Sequence, residues 1–213
     1  MDYLMNHFDD VLEMTIEHMQ IVLIAVLVAF VISFPIALFV NRHKKASPIV
    51  NAICNAIFSI PSLALLVLLI PVTGLGTTTA EVALVLYNLY LLVKNITEGF
   101  DEVSPSVKEI GRGMGMSKLQ LFGSVELPLA MPLILSGLKL SVITTTAMAT
   151  LGSVVGAGGL GTLIFTGLVT RHWNKVIIGT VASTLVASIF SIILQLLENH
   201  ALRAATGQRR GSK

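Results

Sequence analysis

The sequence predicts an all-α membrane protein with about five transmembrane helices, its N-terminus outside and its C-terminus inside. Three observations carry that expectation. The 213-residue chain is 54% hydrophobic and only 12% charged, whereas a soluble domain is typically about 25% charged. Its mean hydropathy is +0.84. Its charges gather in short clusters that separate long uncharged runs.

The same composition excludes other classes. A net charge of +2 is too small to mark a nucleic-acid binder. Cys54 is the only cysteine, so an intrachain disulfide and a cysteine-built metal site are both excluded. No G-x-x-x-x-G-K-[ST] occurs, so nucleotide binding by this chain is not expected. The N-terminal stretch carries Asp2, Asp9, Asp10, Glu13 and Glu17 and no Lys or Arg before Arg42. It lacks the basic region of a signal peptide, and cleavage is not expected.

A helix crossing a hydrocarbon core of about 30 Å needs roughly 20 apolar residues. Residues 1–20 read as an extracytoplasmic segment and 21–40, without charge, as the first span. Residues 46–80 are also uncharged but too long for one crossing. They divide into a second span near 49–72 and a turn at Thr73-Gly74-Leu75-Gly76. The third span, near 79–95, is bracketed by Glu81 and Lys94, whose ends can snorkel to the interface. A loop over 98–128 follows. The fourth span covers about 130–152 and the fifth 176–197, which closes a transmembrane domain of residues 21–197. Residues 198–213 form a basic tail.

Basic residues set the orientation. Arg42, Lys44 and Lys45 follow span one, Lys108, Arg112 and Lys118 follow span three, and Arg203, Arg209, Arg210 and Lys213 follow span five. All three clusters share one face when the N-terminus is outside. The opposite loops carry only Arg171 and Lys175. The 98–128 loop is therefore expected in the cytoplasm. Within it, Ser104-Pro105 is a good helix start, with Ser106-Val-Lys-Glu109 as the competing frame. Ser117-Lys-Leu-Gln120 is a second capping box. Gly113 and Gly115 lie between, so two short helices joined by a glycine-permitted bend are expected.

Residues 109–128 read EIGRGMGMSKLQLFGSVELP. They fit the spaced pattern E-A-A-x-x-x-G-x9-I-x-L-P. Glu109 takes the acid, Ile110 and Gly111 stand for the two alanines, Gly115 for the glycine, Val125 for the isoleucine, and Leu127 and Pro128 close the pattern. Gly111 keeps the small volume of the alanine it replaces; Ile110 does not. This stretch resembles the coupling loop of permease subunits of binding-protein-dependent ABC importers. Ser59-Ile-Pro-Ser-Leu-Ala-Leu-Leu66, Glu109-Ile-Gly-Arg-Gly-Met-Gly-Met116, and Gly156-Ala-Gly-Gly-Leu-Gly161 with Leu163-Ile-Phe-Thr-Gly-Leu168 are similar to segments of the osmoprotectant type, for glycine betaine, carnitine or choline. Together they cover about residues 18–197.

The resemblance implies a permease of the type I importer fold in a bacterial cytoplasmic membrane. It implies a pair of ATP-binding subunits, an extracytoplasmic substrate-binding protein and a second permease chain, identical or a sister. ATP and Mg would sit on the partner, with no cofactor on this chain. Closure of the ATPase pair would move the loop and switch the spans from inward- to outward-facing. A methionine-type amino-acid importer shares the Gly-Ala-Gly-Gly-Leu-Gly turn and is the rival in the same class. A passive channel would work without ATP. A membrane enzyme would need clustered His, Asp or Glu inside the spans, and the sequence has none there.

Several polar residues admit two readings. Asn51, Asn55, Ser59 and Ser62 recur at helical spacing around Pro61 and would share one face. That stripe either lines a translocation path or joins helices. Apart from Glu81 and Lys94 near the ends of the third span, Lys139 is the single charge inside a proposed span. It either lines the path or snorkels back and pairs with a helix end. Gly156-x-Gly158-x-x-Gly161 matches a dinucleotide fingerprint without the strand that motif needs, so a tight re-entry or close helix packing is expected instead. Trp173 is expected as an anchor at the outer interface.

Overall fold

The computed structural model describes residues 2–205. Its helices are α1 (Asp2–Asn6), α2 (Phe8–Arg42), α3 (Ser47–Phe58), α4 (Ser62–Thr73), α5 (Thr77–Asp101), α6 (Pro105–Gly113), α7 (Lys118–Leu121), α8 (Leu127–Ala149), α9 (Leu160–Val169) and α10 (Trp173–Ala205). No strand occurs among the described residues. Four helical runs are long and apolar enough to cross a membrane, and α3 and α4 qualify as a pair bent by 94°.

The first span is the inner part of a longer helix. α2 begins at Phe8, with Asp9 and Asp10 in its first turn, where carboxylates suit the helix N-terminus. Part of the segment read as extracytoplasmic is thus the outer end of the first spanning helix. α5 also outruns the expected 79–95, because Lys94 and Glu98 pair one turn apart (3.9 Å) beyond the apolar run. Its 25 residues reach about 37 Å.

The bent pair crosses antiparallel to α5. α3 starts beside the C-terminal end of α5, where Lys44 pairs with Asp101. α4 ends beside its start, where the hydroxyls of Thr73 and Thr79 meet at 2.5 Å. The pair therefore runs from one face to the other, which makes five crossings and puts the termini on opposite sides. The expected straight span 49–72 is corrected to a broken one. Pro61 has no N–H to give and disfavours helix at Ile60, so the helix stops there. The exposed break is answered by Tyr87 of α5, whose hydroxyl donates to the Ile60 carbonyl.

α2, α5 and α8 form the centre. Ala29 and Ala37 meet Leu92, Ile96 and Phe100, with Ala130 and Ile134 on the third side. Small residues set the spacing between α5 and α8. A Cβ on Gly137 would lie 2.5 Å from Asn95 Cβ, and one on Gly99 would lie 3.0 Å from the Ala130 carbonyl. These contacts let backbones approach where apolar burial gives little drive against lipid. Asn88 of α5 donates to the Thr145 hydroxyl of α8 at 2.7 Å. α10 packs on α8 and α9, and its outer side, from Ile177 to Leu197, is exposed apolar surface.

After α8 the chain tightens into a 3-10 turn (Thr150–Val155) and turns back through Gly156, Gly158 and Gly159, all at positive φ. This is the tight re-entry expected of the glycine motif. Gly152 supplies the close approach, with an added Cβ 3.0 Å from Ala80 Cβ. α9 then runs outward before Trp173, mostly exposed, opens α10. The short helix α9 was not among the expected elements. At ten residues it falls below the length of a span.

Tyr87→Phe is expected to lower the thermal unfolding midpoint of the purified protein, because the Ile60 carbonyl loses its donor at a cost of about 1–3 kcal/mol. Tyr90→Phe, at a ring that stacks on Phe58 at 4.7 Å, should leave the midpoint nearly unchanged. Equal midpoints for both variants would contradict this account of the bend.

Candidate functional site

The cytoplasmic loop is a rigid hairpin built from local rules. α6 takes the frame with Pro105 in its first turn, and the Ser106 frame is not used. Its C-terminus closes as a Schellman motif. Met116 N–H donates to the Gly111 carbonyl at 3.1 Å and Gly115 N–H to the Arg112 carbonyl at 3.0 Å. Gly115 sits at φ +82, so the bend is at Gly115, while Gly113 remains the last residue of the helix. α7 starts with the expected capping box. The Ser117 hydroxyl accepts from Gln120 N–H (3.3 Å) and the Gln120 side chain accepts from Ser117 N–H (2.8 Å).

Gly111 locks the two helices together. It is buried, and a Cβ there would lie 2.6 Å from Leu121 Cδ1. A Cβ here requires the end of the Leu121 side chain to shift, so a small residue suits this alanine position. The neighbouring Ile110 points away from that contact and is 63% exposed, with Met114 at 72% and Leu119 at 83%. Exposed apolar side chains gathered on one loop make it a candidate for a protein contact. Glu109 is exposed beside them and makes no ion pair among the described residues.

The hairpin is tied to the bundle at its base. Phe122 stacks on Phe100 with centroids 5.7 Å apart, and Lys108 donates to the Phe100 carbonyl at 3.3 Å. A π-helical turn (Phe122–Glu126), which holds Val125, runs straight into α8. Leu127 N–H reaches the Phe122 carbonyl across that turn. Pro128 follows and has no N–H for the Ser124 carbonyl, which accounts for the widened turn. Leu127 and Pro128 therefore continue the fourth span and do not terminate the loop. The chain is therefore continuously helical from α7 of the hairpin through α8.

A polar groove opens between α3 and the cytoplasmic half of α5. Its volume is about 450 Å³, and Asn51 and Asn55 face Tyr90, Lys94 and Glu98 across it. Asn51 also donates to the Ser47 hydroxyl at 3.2 Å. The expected single stripe is divided by the bend at Pro61. Ser59 lies at the break and donates to the Asn55 carbonyl at 2.8 Å. Ser62 lies beyond it, in an apolar niche with Leu66, Tyr87 and Met148. Lys139 does not line this groove. Its Nζ sits 2.6 Å from Glu198 and 2.5 Å from the Gln195 carbonyl oxygen of the side chain, which ties α8 to α10.

A second polar junction was not anticipated. Glu17 accepts from Gly159 N–H at 2.6 Å, at the start of α9. An added Cβ on Gly158 would fall 2.2 Å from the Glu17 carboxylate. Next to it, the buried His18 ring meets the Thr146 carbonyl at 3.2 Å. The only sequence signal was an acid and a histidine just ahead of an apolar run. The charged wall of the groove, Lys94 and Glu98, was legible only as an i, i+4 pair.

A family model described as "Binding-protein-dependent transport system inner membrane component" matches residues 15–203. The glycine betaine/carnitine/choline transport system permease protein OpuCB of Bacillus subtilis (strain 168) is 35% identical over 198 residues, 93% of this chain and 91% of that protein. The choline transport system permease protein OpuBB of the same organism is 36% identical over 196 residues, 92% of this chain and 90% of that protein. Among solved structures, an inward-facing form of the MetNI methionine ABC transporter aligns with TM-score 0.75 at 24% identity, over 92% of this chain and 95% of that one. At that identity the likeness concerns the fold.

Gly115→Glu is expected to leave the protein in the membrane but to stop uptake and stimulated ATP hydrolysis by the reconstituted complex. An added Cβ would meet open space there, so the penalty is the left-handed backbone, about 1–2 kcal/mol. That strain undoes the Schellman closure that sets the angle between α6 and α7. Glu109→Lys should weaken uptake less, because Glu109 is exposed. Full uptake by the glycine variant would separate this loop from energy coupling.

Proposed function

Since the chain belongs to the binding-protein-dependent transport system inner membrane component family, we propose that it carries quaternary-ammonium osmoprotectants such as glycine betaine, carnitine or choline. It is the membrane-spanning permease subunit of an ATP-driven importer in a bacterial cytoplasmic membrane. The substrate class is supported by the osmoprotectant permeases that match nearly its whole length. The methionine reading rests on structures similar in fold alone.

In this reading ATP and Mg bind the partner subunits, and this chain turns their closure into motion of its spans. The exposed apolar face of Ile110, Met114 and Leu119 seats in the ATPase. Movement of the hairpin passes directly into α8 and, through Phe122 on Phe100, into α5. The groove beside Asn51 and Asn55 opens at the end of α5 that this motion displaces, which supports it as the cytoplasmic part of the path. A second permease chain completes the wall, because α3 and α4 bury only Cys54, Leu65 and Leu66 within one subunit. An extracytoplasmic binding protein delivers the substrate on the side of α9.

Reconstituted complex with its binding protein should accumulate radiolabelled glycine betaine, carnitine or choline on ATP addition, and not methionine. Methionine accumulation without any of the three would replace this substrate class. In the same assay Asn55→Leu should lower uptake in a complex that still assembles; unchanged uptake would remove Asn55 from the path.

A further inference from the structure

Beneath the loop lies a second cavity, which meets the groove only at Asp101. It measures about 770 Å³ and lies between the C-terminal turn of α2 and the hairpin. Arg42, Lys44, Lys108, Arg112 and Lys118 converge on it, against two carboxylates, Asp101 and Glu126. Asp101 is already paired with Lys44. Lys108 is held by the Phe100 carbonyl. The side chains of Arg42, Arg112 and Lys118 have no hydrogen-bond or ion-pair partner among the described residues. Three cations therefore face one concave space with a single spare carboxylate.

Where this cavity sits decides what enters it. Its inner wall is apolar, formed by Leu38 near the end of a spanning helix, with Val103 and Phe122. Its cationic groups lie on the cytoplasmic side of that wall. A ligand must therefore present an anion toward the cytoplasm and carbon toward the bilayer. The cavity is also separate from the ATPase contact. On α6, Lys108 and Arg112 share one face, and Ile110 and Met114 lie about half a turn away on the other.

We infer that this cavity holds the phosphate-bearing headgroup of an anionic phospholipid from the inner leaflet. Phosphate oxygens take donors from Arg42, Arg112 and Lys118, and the glycerol carbons lie against Leu38 and Phe122. Basic pockets between spanning helices on the cytoplasmic side have this chemistry. The bound lipid bridges α2 to the hairpin, so it steadies the element that the ATPase moves. The inference needs only the cytoplasmic placement of this face and is independent of the transported substrate.

The test is native mass spectrometry of the purified permease–ATPase complex, taken from nanodiscs holding equal phosphatidylglycerol and phosphatidylcholine. The wild-type complex should retain phosphatidylglycerol over phosphatidylcholine. One cation near an anionic surface changes binding about fivefold, so Arg42→Gln with Lys118→Gln should cut the preference about twenty-fivefold. Arg42→Lys with Lys118→Arg should keep it. If the double variant fails to assemble, Arg112→Gln alone should show about a fivefold loss. Unchanged retention in the glutamine variants overturns the inference. So does displacement of the lipid by millimolar inorganic phosphate, which would make the cavity a small-anion site. Loss of the ATPase with the lipid retained would assign the cations to the protein partner and also overturn it.

Discussion

In the bilayer core a backbone N–H or C=O without a partner costs several kcal/mol, and water is not there to help. The same need for a partner, which holds for any buried backbone group, explains where this chain departs from plain helix within the spans and at their ends. Each break has an answering group. The helix stops at Pro61, and Tyr87 donates to the Ile60 carbonyl. The chain re-enters at Gly158 and Gly159, and Glu17 takes the Gly159 N–H at the start of α9. The α8 ladder widens ahead of Pro128, and Leu127 N–H finds the Phe122 carbonyl instead. Glu17 also suits the positive end of α9, so a costly carboxylate is placed where a helix N-terminus favours it.

These breaks divide the helical structure into separate pieces. α7, the π-helical turn and α8 form one continuously helical piece. The bent α3–α4 pair forms another and touches the rest mainly through α5. The polar groove lies along this second contact, between Asn51, Asn55 and the charged end of α5. The groove therefore depends on where α3 stands against α5, outside the central cluster of α2, α5 and α8. Lys139 and Glu198 hold α10 to α8 away from that contact.

Much of this architecture was legible in the sequence because its signals are local. Uncharged runs located the spans, and the Ser117–Gln120 capping box and Gly115 located the hairpin. The positive face placed the loop in the cytoplasm. Span ends were less legible, since ion pairs such as Lys94–Glu98 extend helices past the apolar run. The stripe of Asn51, Asn55, Ser59 and Ser62 does not form one face because the chain bends by 94° at Pro61. Its full effect depends on Tyr87, a residue 27 positions away that supplies the missing hydrogen bond. The Glu17–Gly159 contact spans 142 positions and has no periodic signature at all.

The central claim is that the face of Ile110, Met114 and Leu119 carries the ATPase. Its most direct test places a photo-crosslinking amino acid at Ile110 in the active, membrane-embedded complex. The account predicts a covalent adduct between the permease and the ATP-binding subunit on illumination, and none when the same group replaces Asn6 at the opposite end of the fold. An active complex that gives no ATPase adduct from Ile110, or gives one from Asn6, would contradict it.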